Sequence, residues 1–191
     1  MENRMAIDNG HILEDIQAYE PVNEQEATDR QLMLGLMCSE NVWTRENPRA
    51  HMTASAWVTS HDHSQVLMCW HLIYDSWSWL GGHADGDRDL LAVALREVRE
   101  ESGLTVLKPV SDKPISLEIL GVDGHMRHGR YVSSHVHLNL TYLIEAEPGE
   151  TLRIKEDENK ALRWFSPQGA IEASRESWFR DHIYPKLNAR L

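Results

Sequence analysis

Cysteine is nearly missing from this chain. Cys38 and Cys69 are the two present, and they form neither a CxxC pair nor a metal-ligand spacing. That excludes a disulfide framework and fits a reducing compartment, with both read as core thiols. Basic residues are also scarce: 19 Lys and Arg stand against 30 Asp and Glu, for a formal charge of −11. Nucleic-acid partners need a basic footprint, so this balance disfavours them and leaves room for a small anionic substrate only with a metal ion. No apolar run is long enough to cross a bilayer, and MENRMAIDNG carries no leader-like segment, so the expectation is a cytoplasmic chain with no membrane partner. Repeats and low-complexity tracts are absent too.

What is present is ordinary: 191 residues, 41% hydrophobic and 26% charged, enough for one domain with a sizeable core. Residues 1–46 are too few to bury a core of their own and read as a helical extension of a main domain at 47–191. Ile7, Ile12, Leu13, Ile16 and Tyr19 suggest one amphipathic helix, broken at Pro21. A second runs from about Glu24 to Cys38, with Leu32 and Leu36, Met33 and Met37 at helical spacing. It packs on the main domain or on a second copy in a homodimer.

From His51 the period shortens. HMTASAWVTS and SQVLMCWHL read as a hairpin across the polar turn His61-Asp62-His63, whose histidines read as solvent-facing rather than as ligands. Ile73–Leu80 reads as a strand leading to Gly81, with Trp77 and Trp79 alternating, one buried and one lining a cleft. Further strands are expected at Ile115–Gly121, His135–Ala146 and Ala161–Phe165, with helical pieces after Pro167, the second from Arg175 onward. In the second of these strands His135, His137, Asn139 and Thr141 share one face, which is either solvent or the floor of a polar cleft. Strands with helices between them point to an α/β fold with a mixed sheet covered on both sides.

The stretch GGHADGDRDLLAVALREVREESGL, Gly81 to Leu104, carries the chemistry. At 100° per residue Leu91, Ala94, Leu95 and Val98 form one buried stripe. Glu97, Glu100 and Glu101 lie three and four apart on an adjoining face, where like charges repel and a divalent cation is the natural neutraliser. Charge runs on helices are commonly only solvated faces. Here, however, Gly81 and Gly82 let backbone carbonyls approach a site, and Gly103 stands where a left-handed cap would end the helix.

In register, Gly82, Arg96, Glu97, Val98, Glu100, Glu101, Gly103 and Leu104 match the Nudix box, G-x5-E-x7-R-E-U-x-E-E-x-G-U, with U a bulky aliphatic residue. The chain therefore resembles the Nudix hydrolases over roughly Ala50 to Leu187. It departs from the box at one position, where Arg88 replaces the first glutamate and Asp87 or Asp89 could substitute. The resemblance implies an α/β/α sandwich and a Mg2+-dependent enzyme, with Mn2+ as the alternative ion, that cleaves a diphosphate linkage in a nucleoside diphosphate derivative.

In that reading Glu97, Glu100, Glu101 and a carbonyl of Gly82 (or Gly81) hold metal, and Arg96 orients a glutamate. The general base is Glu97 or one of His125, His135 and His137. Trp79, His83, His135 and His137 are candidate substrate contacts. Two rivals share the box. An isopentenyl diphosphate isomerase would need a catalytic cysteine, and neither Cys69 nor Cys38 stands in a suitable context. A binding module would have no need to keep the acids.

Overall fold

The computed structural model describes residues 11–127 and 129–191; Ile7 lies outside them. Within those bounds the chain is α/β. An eight-stranded sheet runs in the order β10 (Asn159–Phe165), β2 (Val66–His71), β1 (Ala50–Thr59), β9 (His135–Ala146), β5 (Leu107–Pro109), with β3 (Ser76–Ser78) on β2, β4 (Leu80–His83) on β1 and β6 (Ser116–Val122) on β9. The residues group into two compact units: the chain up to Ala54 with His83–Leu90 and Leu117–Leu140, and Ser55–Gly82 with Leu91–Ser116 and Thr141–Leu191. Four strands, β1, β4, β6 and β9, contribute residues to both.

The first unit opens with α1 (Ile12–Ala18) and α2 (Glu24–Ser39). Asn23 caps α2 by accepting from the Glu26 amide at 2.9 Å, which satisfies a donor the first turn cannot. Glu26 is itself buried and accepts from the Tyr19 hydroxyl and the Val22 amide, each at 2.9 Å. Arg30 Nε donates to the Ile16 carbonyl at 2.7 Å and ties the two helices together.

The buried stripe of α2 is narrower than the sequence suggests. Met33 and Met37 are fully buried, whereas Leu32 is 52% exposed. Cys38, one residue round from Met37, is exposed and is not a core thiol. The helix packs on its own unit: Asp29 Oδ2 accepts from the amide of Ile119, in β6 (Ser116–Val122), at 3.0 Å. A small hairpin of β7 (His125–Arg127) and β8 (Arg130–Val132) completes this unit.

In the second unit β2 (Val66–His71) pairs antiparallel with β3 (Ser76–Ser78) and with β10 (Asn159–Phe165), so that Cys69 faces Ser78 on one side and Leu162 on the other. The strand expected over Ile73–Leu80 is shorter than read. Residues 72–75 form a turn, Asp75 adopts φ 47°, and Ile73 is 70% exposed. A tight reversal between two paired strands leaves no room for the apolar residues there to reach a core. β5 (Leu107–Pro109) pairs antiparallel with the end of β9, where Lys108 faces Glu145. Glu145 also accepts from Lys108 Nζ at 3.0 Å and lies 2.6 Å from His61 Nδ1. The His61-Asp62-His63 turn is thus tied to a surface carboxylate.

At the C-terminus α4 (Pro167–Ala173) starts on a Ser166 cap. The single helix expected from Arg175 is interrupted. A π-turn spans Phe179–Ile183 before α5 (Tyr184–Asn188), and the Tyr184 amide bonds to the Phe179 carbonyl. Pro185 cannot donate to the carbonyl four residues back, which favours this local widening. It seats Tyr184 in the core, stacked on Trp57 at 5.1 Å between ring centroids.

Candidate active site

The helix α3 (Leu90–Ser102) forms as its periodicity dictates and ends at Gly103, whose φ of 74° is the left-handed cap and whose amide bonds to the Arg99 carbonyl. Its buried stripe lies one residue round from the expected one. Leu90, Val93, Ala94 and Val98 are fully buried, whereas Leu91 and Leu95 are only half-buried. The rotation carries Glu101 into the interior, at 2% exposure, with Glu97 half-buried and Glu100 at the surface.

The glycines of β4 (Leu80–His83) meet these acids. Glu101 Oε2 accepts from the Gly81 amide at 3.0 Å. Glu97 lies so close to Gly82 that a Cβ there would sit 2.7 Å from each of its carboxylate oxygens. A side chain there would have to push the Glu97 carboxylate aside. Burial pushes Glu101 up to about 8, against the Gly81 amide, which favours the charged form; nearby Glu97 and Glu158 raise it further. Burial raises Glu97 as well, opposed chiefly by its hydrogen bond from Arg96 at 3.2 Å.

Arg96 Nε also reaches Glu100 at 3.9 Å, and Lys155 Nζ lies 3.6 Å from Glu100 and 3.0 Å from Glu158. Four carboxylates, Glu97, Glu100, Glu101 and Glu158, thus share two cationic side chains. A buried carboxyl held near neutrality beside two further acids is what a hard divalent cation with oxygen ligands would relieve. The donor set fits Mg2+.

Arg88, in place of the first box glutamate, lies with its guanidinium 4.5 Å from the centroid of buried Trp43, and its Nη1 is buried without a partner. Beside it, Asp87 Oδ1 accepts from the Asp89 amide at 3.0 Å, an Asx-type turn that shapes the loop into α3.

The remaining candidates separate. Trp79 is only 8% exposed, and its ring stands edge-on to Phe179 and Tyr184 at 5.5 and 5.8 Å. It is a core residue rather than the wall of a cleft, because the aromatic cluster on the C-terminal segment covers it. The histidines come together in the first unit. His83, His135 and His137 gather around His51, with ring centroids 5.1, 4.8 and 4.9 Å from it. Burial holds His137 down to about 2, helped by the neighbouring rings, and lowers His51 as well. His125 stands at the edge, 6.3 Å from His135. Below them Asn139 accepts from the Thr53 hydroxyl at 3.0 Å and donates to buried Glu118 at 3.1 Å. The His-His-Asn-Thr face of β9 is therefore polar, half-buried at His135 and His137 and fully buried at Asn139 and Thr141, rather than open to solvent.

Sequence reasoning missed His51, Glu158 and Lys155. His51 carried a signal, since it stands at the head of a strand like His135. Glu158 and Lys155 lie in a polar turn far along the chain and carried none.

The family described as "NUDIX domain" matches residues 49–187. Among curated proteins none matches this chain. Solved structures do. A MutT protein from Methanosarcina mazei Go1 superposes with TM-score 0.56 at 15% identity, over 74% of this chain and 94% of that one. A C. elegans Ap4A hydrolase in a binary complex gives 0.53 at 17%, over 73% and 96%. The E. coli dihydroneopterin triphosphate pyrophosphohydrolase gives 0.53 at 17%, over 79% and 100%. These likenesses speak for the fold, and with the family match across most of the chain the conclusion is plain: the chain belongs to the Nudix hydrolase family.

Proposed function

We propose that the protein is a Mg2+-dependent hydrolase that cleaves a diphosphate linkage in a nucleoside diphosphate derivative. One observation carries the reading: the packing of Glu97 and Glu101 against Gly82 and Gly81, a cradle in which any side chain at 82 would displace the Glu97 carboxylate and in which the Gly81 amide holds Glu101. Glu97, Glu100, Glu101 and the Gly82 carbonyl would hold the ion, with Mn2+ as the alternative. Bound there, the metal would offset the charge of the diphosphate that otherwise repels an attacking water.

The chain's own groups prepare the site. Arg96 donates to Glu97 Oε1 at 3.2 Å and so orients this carboxylate, whose pKa burial raises; Glu97 is the candidate general base as well as a ligand. Lys155 keeps Glu100 and Glu158 from repelling each other. Of the expected substrate contacts we retain His83, His135 and His137.

Residues 47–191 are proposed as the catalytic domain, with 1–46 as its helical extension. The matched family residues lie within the former. We also infer a cytoplasmic enzyme. No helix among the described residues is long and apolar enough to cross a membrane. The bonds of α2 to its own unit favour its role in packing over a homodimer contact. The isomerase alternative has no support in Cys69, which is fully buried with its thiol pushed well up by burial.

The test is a screen of nucleoside triphosphates, oxidised nucleotides, nucleotide sugars, dinucleoside polyphosphates and capped RNA, with and without Mg2+, for release of phosphate-bearing products. Glu100→Gln with Glu101→Gln should abolish turnover while keeping the helix, since glutamine is as good a helix former. Full activity in that double variant rejects the proposal.

A further inference from the structure

The carboxylate site makes no use of His51. This residue lies on β1, His83 on β4, and His135 and His137 on β9, so three different strands converge on one cluster. We propose that His51, His83 and His137 form a second metal site, one that takes a borderline transition ion of the Zn2+ class.

One ring nitrogen from each of the three lies within 4.8 Å of the others. A tetrahedral ion at about 2.0–2.1 Å from nitrogen spaces its ligands by about 3.4 Å, so modest ring rotations close the set. The orientation of the rings also suits a ligand set. His51 Nδ1 lies 3.3 Å from the Asn47 carbonyl, which fixes the proton there and turns the Nε2 lone pair inward. That Nε2 is buried with no partner, and so is Nε2 of His137.

A plain aromatic core would not gather imidazoles and then leave their polar atoms unsatisfied. Nor do the rings adopt one stacking mode, since their planes meet at 37°, 49° and 84°. A cationic, anion-binding cluster is disfavoured as well, because burial keeps His137 neutral.

Neutral imidazoles select Zn2+, Ni2+ or Co2+ rather than Mg2+, which prefers oxygen. Two ions of different hardness would then be sorted by two donor sets in one chain. Three protein ligands leave a fourth position to water. His135 stands beside it, its Nδ1 2.8 Å from the Ser133 carbonyl, which leaves Nε2 available. His83 and His137 would then serve the substrate through the ion they hold, with His135 as the direct contact.

The experiment uses the untagged full-length protein stripped with chelator, titrated with Zn2+ by calorimetry and loaded with Co2+ for visible spectroscopy. The expected result is one Zn2+ per chain and a Co2+ d–d band of tetrahedral intensity, both retained when Glu100 and Glu101 are changed to Gln. His137→Asn should remove both, and His83→Asn should weaken affinity by on the order of 10–100-fold. If circular dichroism shows His137→Asn unfolded, the half-buried His83 variant and the wild-type Co2+ spectrum decide. No Zn2+ binding, binding unchanged in the histidine variants, or binding lost only in the glutamate variant would each overturn the site.

Discussion

The carboxylate of Glu97 rests against the α-carbon of Gly82, with no room for a methyl group between them. Gly82 does not have a positive φ, so alanine is permitted by the backbone, and the obstructing atoms are the mobile end of a side chain. Gly82→Ala should therefore fold with stability near wild type while pushing Glu97 out of place. Activity should drop by on the order of 10²-fold, as expected for a displacement of about 1 Å at a reacting centre. A thermal melt and a rate measured side by side test this, and loss of stability without loss of rate would contradict it.

Glu101 offers a pH test. Its pKa is raised from 4.5 to about 8 by burial, so the metal-free fold favours the protonated form. The stability contributed by this group is complete below about 4.5 and is lost as pH rises through about 8. A divalent cation favours the carboxylate instead. The stabilisation gained on adding Mg2+ should therefore grow from pH 6 to about pH 9, and Glu101→Gln should flatten that dependence. Melting temperatures across that span, with and without Mg2+, are the measurement. A gain independent of pH would refute the assignment.

Arg88 departs from the box, and restoring the glutamate looks harmless or beneficial from sequence alone. Its place over Trp43 predicts otherwise. Arg88→Glu replaces a cation on an aromatic face with a partly buried carboxylate, and should cost about 1–2 kcal/mol in a denaturant titration. An unchanged midpoint would show that the stacking contributes nothing. Asp87→Ala or Asp89→Ala, by contrast, should lower activity chiefly at limiting Mg2+ if either acid serves the metal region.

The two thiols should differ sharply. Cys38 is exposed and Cys69 is buried with a raised pKa, so a thiol reagent should titrate one cysteine quickly and the other only on unfolding. Cys69→Ser keeps a donor within reach of the Trp79 carbonyl, now 3.5 Å from Sγ, and should leave hydrolysis within a few-fold. Two fast-reacting thiols would contradict the burial.

Much was settled by local pattern. The box helix with its Gly103 cap, the hairpin of β1 and β2 and the run of β9 all follow from periodicity and spacing within a few residues. Such signals are readable because backbone hydrogen bonding and side-chain period are local properties. What needed the tertiary structure was everything set by which face meets which neighbour. The one-residue rotation of α3 that buries Glu101, the exposure of Cys38, the covering of Trp79 by Phe179 and Tyr184, and the return of Lys155 and Glu158 to the acids depend on packing between distant segments. The histidine cluster is the clearest case. His51, His83 and His137 lie on separate strands, and no spacing along the chain announces them, because only strand pairing in the folded sheet sets the distance between their rings.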